Sequence, residues 1–452
     1  MAQAEQTMTK PAAPDPVTLA DALSYWFKLG FISFGGPAGQ IAMMHAELVE
    51  RRRWISEQRF LHALNYCMLL PGPEATQLAV YIGWLMHRTL GGILAGALFV
   101  LPSLAILIFL SWIYLAYGTL PLVAGVLYGI KPAVVAIVLA AAWRLGSRSL
   151  KNGWLVGIAV AALLAITVLQ LPFPAIVLGA ASIGMIGGRL LPEKFQPGGA
   201  HGAAAASLYG PAIIDDATPP PAHARFRWPH LALVVGIGLA LGLATWTALA
   251  LLYGRAGALA QMGWFFTKAA MLTFGGAYAV LPYVYQGGVQ TYQWLTAAQM
   301  MDGLALGETT PGPLIMIVAF VGFVGGWTKV LFGPEHLLAA GVAAACVAAF
   351  FTFLPSFIFI LAGGPLVEST RGNIRLTAPL TAISAAVVGV VVSLALFFAW
   401  HVFNLQAPPA HWDRIAIAIS ALALLALLRY KAGTIKLILA CAAAGLVVSY
   451  LR

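Results

Sequence analysis

Charge is what this sequence has least of. Only 9% of its 452 residues are charged and 61% are hydrophobic, against roughly 25% charged in an ordinary soluble domain. A soluble globular protein is excluded. Cysteine is scarce too: Cys67, Cys346 and Cys441 lie singly in apolar stretches with no CxxC pair, so neither a disulfide framework nor a metal site follows. No cofactor is expected. Acidic residues number 15 against 25 Lys and Arg, giving +10, but the basic residues are scattered through short loops and form no long arm. That pattern speaks of membrane topology and not of nucleic acid. No Walker sequence, nucleophile triad or ligand cluster is present, so an enzyme is not expected and any work must come from ion gradients or membrane potential. The first fifteen residues are polar, with no apolar core before a cleavage site, and no cleaved signal peptide is expected.

What the chain does have is long apolar runs and an internal copy. Stretches of spanning length recur at 91–115, 122–142, 231–252 and 376–398. They do not alternate as barrel strands would, so the expected class is an all-α polytopic membrane protein. Shifted by 240 positions without a gap, Phe34-Gly35-Gly36 falls on Phe274-Gly275-Gly276, and Pro71-Gly72-Pro73 on Pro311-Gly312-Pro313. Lys28 falls on Lys268, Trp54 on Trp294, Ser33 opposite Thr273 and Ser56 opposite Thr296. Leu101-Pro102-Ser103 matches Leu354-Pro355-Ser356 at a shift of 253, with an insertion near 329–341. The unit is therefore duplicated. The expected organisation is a polar tail over 1–16, a first repeat over 17–191, a flexible Pro/Gly/Ala-rich connector over 192–228 and a second repeat over 229–452.

Charge then orients the copies. Arg51, Arg52 and Arg53 occupy one first-half loop, and Arg144, Arg148 and Lys151 another; their second-half counterparts, 291–293 and the stretch near His401, carry no Lys or Arg. Conversely, Arg371 and Arg375 lie in a second-half loop whose first-half equivalent, 118–122, is uncharged. Since positive loops stay inside, the repeats are expected to be inverted, with a cytoplasmic amino terminus and a periplasmic carboxyl terminus. The segments 17–50 and 54–88 must then enter and return, breaking at the FGG and PGP runs. Each arm is about 15 residues, roughly 22 Å of helix, which passes mid-bilayer without spanning it. Four such broken or re-entrant hairpins are expected, their tips meeting near the bilayer midplane.

Glycine and proline at a tip leave backbone N–H groups unpaired at the start of the returning helix, and a helix start suits an anion. Broken backbone at membrane depth survives only when buried in protein or lining a cavity. The expected binding residues are Ser33, Gly35, Gly36 and Gly72, with Thr273, Gly275, Gly276 and Gly312 as their second-half counterparts, and Lys28 and Lys268 as fixed charge. The plainer alternatives are that the glycines only permit close packing and that the lysines snorkel to the interface. Glu74 and Glu308 flank the two PGP runs and are candidates for proton coupling, and His45 for gating. Asn65, Thr76, Gln77, Thr309 and Thr310 are polar enough to complete a hydrogen-bond shell.

The runs FGGPAGQIAMMH, LPGPEATQLAVYIGW with Trp54 before it, and FVLPS together resemble the chromate ion transporter family. The second half repeats them more loosely as FGGAYAVLPYV, Trp294, ETTPGPLIMI and TFLPS. Leu314 stands where Glu74 follows the first PGP, and Val280 where Gln40 stands, which suggests unequal roles for the halves. The resemblance covers both repeats and implies a two-domain member that exports chromate across the bacterial inner membrane and confers chromate resistance. It implies chromate as substrate, with sulfate or another oxyanion, or an anion channel of this architecture, as alternatives. The lipid bilayer is the expected surround, and a homodimer is left open.

Overall fold

The computed structural model describes residues 14–34, 36–118, 120–195, 210–216, 218, 219, 221–274, 277–369, 377–405, 408 and 411–451, with Ala38, Ser369 and Thr377 as backbone only. Gly35, Gly275, Gly276, Arg371 and Arg375, all used above, lie outside the described residues, as does most of the amino-terminal tail.

The chain is an all-α polytopic membrane protein. Among the described residues seven helices are long and apolar enough to cross a membrane, and a lone bridge between Ile55 and Ile214 stands outside any strand. The first half comprises α1 (Leu19–Ile32), α2 (Gly36–His45), α3 (Glu57–Leu69), α4 (Glu74–Tyr117), α5 (Pro121–Ser149), α6 (Gly153–Thr167) and α7 (Phe173–Leu190). The second comprises α8 (Trp228–Tyr253), α9 (Ala258–Met271), α10 (Ala277–Tyr285), α11 (Ala297–Thr309), α12 (Ile317–Thr328), α13 (Leu337–Ser369), α14 (Thr377–Val402), α15 (Arg414–Leu428) and α16 (Thr434–Leu451). The helix α4 breaks at His87 and Arg88, whose backbone is not helical.

Local chemistry explains the ends. Ser56 and Thr296 cap α3 and α11 by accepting from Arg59 N and Gln299 N at 3.3 and 3.2 Å, which satisfies orphan donors of the first turn. Both α2 and α10 run into one turn of π-helix, Ala46–Arg51 and Gln286–Thr291. Each π-turn closes on the tryptophan that follows: Trp54 N donates to Leu48 O, and Trp294 N to Gly288 O, both at 2.7 Å. The residues just before, Arg53 and Gln293, share a left-handed φ of 51°. Beside the first turn Glu47 accepts from Arg52 and Arg51 at 2.8 and 3.2 Å. Those guanidinium partners hold its carboxyl below the usual carboxylate range.

Small residues let the helices approach. Between α5 and α16, a Cβ on Gly129 would strike the Cys441 carbonyl and Gly445. Between α1 and α4, Gly30 lies against the Leu98 carbonyl and the Pro102 ring; Pro102 has no N–H to give that carbonyl, and the glycine fills its place. One end of the bundle gathers several loops. His87 Nε2 meets Val17 O at 3.0 Å, and His223 Nε2 meets Trp84 O at 3.0 Å. Ile213 N and Ile214 N donate to Arg53 O and Trp54 O at 3.0 Å. The described part of the connector is therefore tied to the first-half hairpins.

Replacing Gly129 with valine should cost about 1–3 kcal/mol through forced separation of α5 and α16. Thermal unfolding in detergent measures it, with Gly157→Val as control because a Cβ at Gly157 meets nothing within 4 Å. Equal losses in the two variants would show that close packing at Gly129 is not the cause.

Candidate functional site

The helix breaks at the repeated motifs bring the two halves into contact. The α1 helix ends at Ser33, and the α3 helix at Leu70; α9 and α11 end at Leu272 and Thr310. Each PGP turn has its glycine in the left-handed region, Gly72 at φ +121° and Gly312 at +99°, where glycine alone is unstrained. Those glycines donate across the halves: Gly72 N to Thr273 O at 2.7 Å, and Gly312 N to Ser33 O at 2.8 Å. The same two positions are exchanged between the copies. A buried N–H and C=O freed by a helix break are thereby paired.

Each crossed pair of turns rests on the serine of an LPS run. A Cβ on Gly312 would meet Ser103, and one on Gly72 would meet Ser356 and Gln77. A glutamine clamps each pair, but from a different hairpin. Gln40 Nε2 donates to Gly312 O at 2.5 Å and to Ser33 O at 3.3 Å. Gln77 Nε2 donates to Pro71 O at 2.7 Å and reaches Ser356 Oγ at 3.4 Å. In the second half their positions hold Val280 and Ile317, so neither clamp is duplicated.

Around these turns lies a set of buried polar atoms without a hydrogen-bond partner in the protein: Ser33 Oγ, Ser103 Oγ, Thr76 Oγ1, Gln40 Oε1 and Gln77 Oε1. Such atoms are costly unless a guest or water meets them. Gly36, at φ +70° on the first turn of α2, has open space where its Cβ would stand. Each of the three hydroxyls is free to donate to a small anion, and helix starts such as those of α2 and α4 suit one.

The carboxylates lie close by on non-equivalent helices. Glu74 is buried in the first turn of α4. Glu308, near the end of α11, accepts from Tyr278 Oη at 2.5 Å, and the Arg144 charge acts on both members of that pair. The other expected residues stand apart from the turns. Lys28 is on the exposed face of α1 beside Phe27 and Phe31. Lys268 is half-buried, with its ammonium 5.6 Å from the Trp264 ring centroid. His45 lies at the far end of α2, 3.0 Å from Glu50 and 3.8 Å from Glu57. Thr309 and Thr310 turn their hydroxyls back to their own helix, onto Leu306 O and Gly307 O.

Ser103 and Ser356 were legible only as alignment anchors. A serine after proline in two matched apolar helices is the signal that marks them. Gln40 stood out only through its motif, because one glutamine in an apolar helix has no partner visible in sequence.

A family model described as "Chromate transporter" matches residues 20–185 and 260–446. The "Chromate transport protein" of Cupriavidus metallidurans is 30% identical over 84% of this chain and 83% of its own length. That of Pseudomonas aeruginosa is 31% identical over 97% and 94%. The "Uncharacterized transporter YwrA" of Bacillus subtilis is 30% identical over 37% of this chain and 94% of its own, so it has about the length of one repeat. No solved structure matches.

Gly312→Ala should destabilise the protein by about 1–3 kcal/mol through strain and the clash with Ser103. Adding Ser103→Gly should recover part of that loss, and adding Ser356→Gly should recover none; for Gly72→Ala the two rescues exchange. A double-mutant cycle in detergent reads the coupling. Equal rescue by both serine changes would mean that the crossed contacts do not hold.

Proposed function

The chain belongs to the chromate transporter family, and from that premise we propose that it exports chromate across the bacterial inner membrane, driven by the membrane potential, and so confers chromate resistance. The observation that carries the proposal is the pair of crossed bonds, Gly72 N to Thr273 O and Gly312 N to Ser33 O. They gather broken helix ends from both repeats around unpartnered hydroxyls. A tetrahedral dianion needs donors on several sides, and buried helix starts supply them where free water does not.

Two inverted repeats are the architecture we propose for that site. The contacts of the loops support it. Asn152 donates to Lys194 O at 2.8 Å, which sets the α5–α6 loop beside the connector, and the connector bonds to Arg53 and Trp54. At the other end of α6 and α7, Phe173 N donates to Gln286 at 3.2 Å. The Arg53 turn and its copy at Gln293 thus fall at opposite ends of the bundle. With the arginine-rich end cytoplasmic, both hairpins of the first half enter from inside and both of the second from outside.

Ser33, Gly35, Gly36 and Gly72, with Thr273, Gly275, Gly276 and Gly312, form the substrate ring in this reading, joined by the hydroxyls of Ser103 and Thr76. Lys28 and Lys268 act at a distance, raising the local anion concentration on the approach. Glu74 and Glu308 exchange protons, so that a neutral carboxyl relieves repulsion as the dianion passes, and His45 gates the inner end. Export is the electrically favoured direction: two negative charges leaving an inside-negative cell at 100 mV gain about 4.6 kcal/mol.

Purified protein in liposomes loaded with chromate tests the proposal. An inside-negative potential set by potassium and valinomycin should speed efflux severalfold, and the opposite potential should slow it. Flux indifferent to the sign of the potential would overturn electrogenic export. Sulfate inside the vesicles should compete, since it shares charge and shape with chromate. Sulfate flux exceeding chromate flux would reassign the substrate.

A further inference from the structure

We propose that a second oxyanion subsite lies at the far end of the transport path, where Lys131 is shared between Asp302 and the passing anion. This rests on the transport reading above. Lys131, on α5, stands 3.2 Å from Asp302 on α11, and the second Asp302 oxygen accepts from Tyr114 Oη on α4 at 2.8 Å. The aspartate is nearly buried, whereas the Lys131 side chain keeps 30% of its surface exposed. It lines a cavity of about 240 Å³ between α5, α11, α14 and α15, together with Tyr128, Met301 and His401. That volume admits a tetrahedral oxyanion with part of its water.

The cavity borders α11, and the Asp302–Tyr114 pair beside it links that helix to α4, the two helices that lead back to the Gly312 turn. Asp302 shares α11 with Glu308 and lies on the arm that ends at the Gly312 turn. Tyr114 shares α4 with Ser103, on which Gly312 rests. An anion leaving the turns along these two helices reaches Lys131 next. The remaining charged and titratable groups around the cavity are already engaged. Tyr128 Oη donates to Asp413, at 2.8 and 2.7 Å to its two oxygens, and Asp413 also caps α15 at Ala416 N. His401 Nδ1 meets Phe397 O at 2.9 Å; a carbonyl only accepts, so the proton sits on that nitrogen. Lys131 is then the cation whose partner can be exchanged. The carboxylate and the oxyanion compete for one ammonium, which gives binding strong enough to draw the ion outward and weak enough to let it go.

The matched place in the first repeat differs. Asp302 corresponds to His62, Tyr114 to Val367 and Lys131 to Ser384. There His62 Nε2 meets the Val367 carbonyl at 3.1 Å, so the subsite exists at one end only.

Initial rates from proteoliposomes, with chromate presented at each face in turn, test the inference. Lys131→Gln should raise the half-saturation concentration at the Lys131 face by about tenfold, the loss of one charge-assisted contact. It should leave the opposite face within about twofold, and Lys131→Arg should restore most of the loss. Asp302→Asn should lower half-saturation at the same face and slow turnover, because release loses its competitor. Equal shifts at both faces, or unchanged half-saturation in Lys131→Gln, would overturn the subsite. If Lys131→Gln fails to assemble, Asp302→Asn decides: unchanged affinity and turnover reject it. Wild-type vesicles without chromate flux would instead reject the transport reading.

Discussion

A helix broken inside a bilayer must find new partners for the groups it frees, because lipid offers none. In this protein the partners come from the other copy of the same sequence. The PGP glycine of each repeat gives its N–H to the residue before the FGG run of the other. Neither repeat can satisfy its own turns in this way, so pairing of the halves and formation of the site are one event. The demand also fixes the residue types. A left-handed φ at Gly72 and Gly312, with a serine where a Cβ would stand, leaves no space or conformation for anything larger.

The crossed turns are symmetric in backbone and unequal in side chains. Gln40 clamps one pair from the FGG hairpin, and Gln77 clamps the other from the PGP hairpin. Both glutamines belong to the first repeat. Its second-half replacements, Val280 and Ile317, are apolar and make no such bond. The polar lining of the site is therefore concentrated in residues of one repeat, while both repeats supply the turns. Duplication gave the frame, and divergence placed the donors.

Much of this was legible because it depends on composition and period. Few charges and long apolar runs fix an all-helical membrane protein, and glycine and proline at matched spacing mark where α1, α3, α9 and α11 stop. Trp54 and Trp294 repeat because each closes a π-turn, a contact between residues six apart. The lysines were harder to read. Sequence puts Lys28 and Lys268 six residues before each FGG, but helical periodicity turns Lys28 to the exposed face of α1 and sets Lys268 over Trp264. Distance along a chain is not direction across a helix. The partners of Asp302 (Tyr114 and Lys131) and of Glu368 (Tyr81 and Arg59) were out of reach for another reason: each contact joins segments more than 170 residues apart, and one tyrosine in an apolar helix looks like any other.

The two ends of the molecule show how a symmetric frame acquires direction. Near the Arg53 turn, Arg59 and Tyr81 meet Glu368 at 3.9 and 2.5 Å, with both charged side chains nearly buried, and Arg59 also bonds to the Thr218 carbonyl of the connector. At the other end Lys131 and Tyr114 meet Asp302, and the lysine borders a cavity. Each cluster is a carboxylate between a cation and a tyrosine hydroxyl, built from non-equivalent residues. A buried, hydrogen-bonded ion pair is costly to open, since either partner left alone is an unpaired charge in a low-dielectric setting. A pair beside a cavity opens at lower cost, because water or an anion can take the vacated place. In the transport reading proposed above, the end to which the described connector residues bond is thus the harder to open and the Lys131 end the easier.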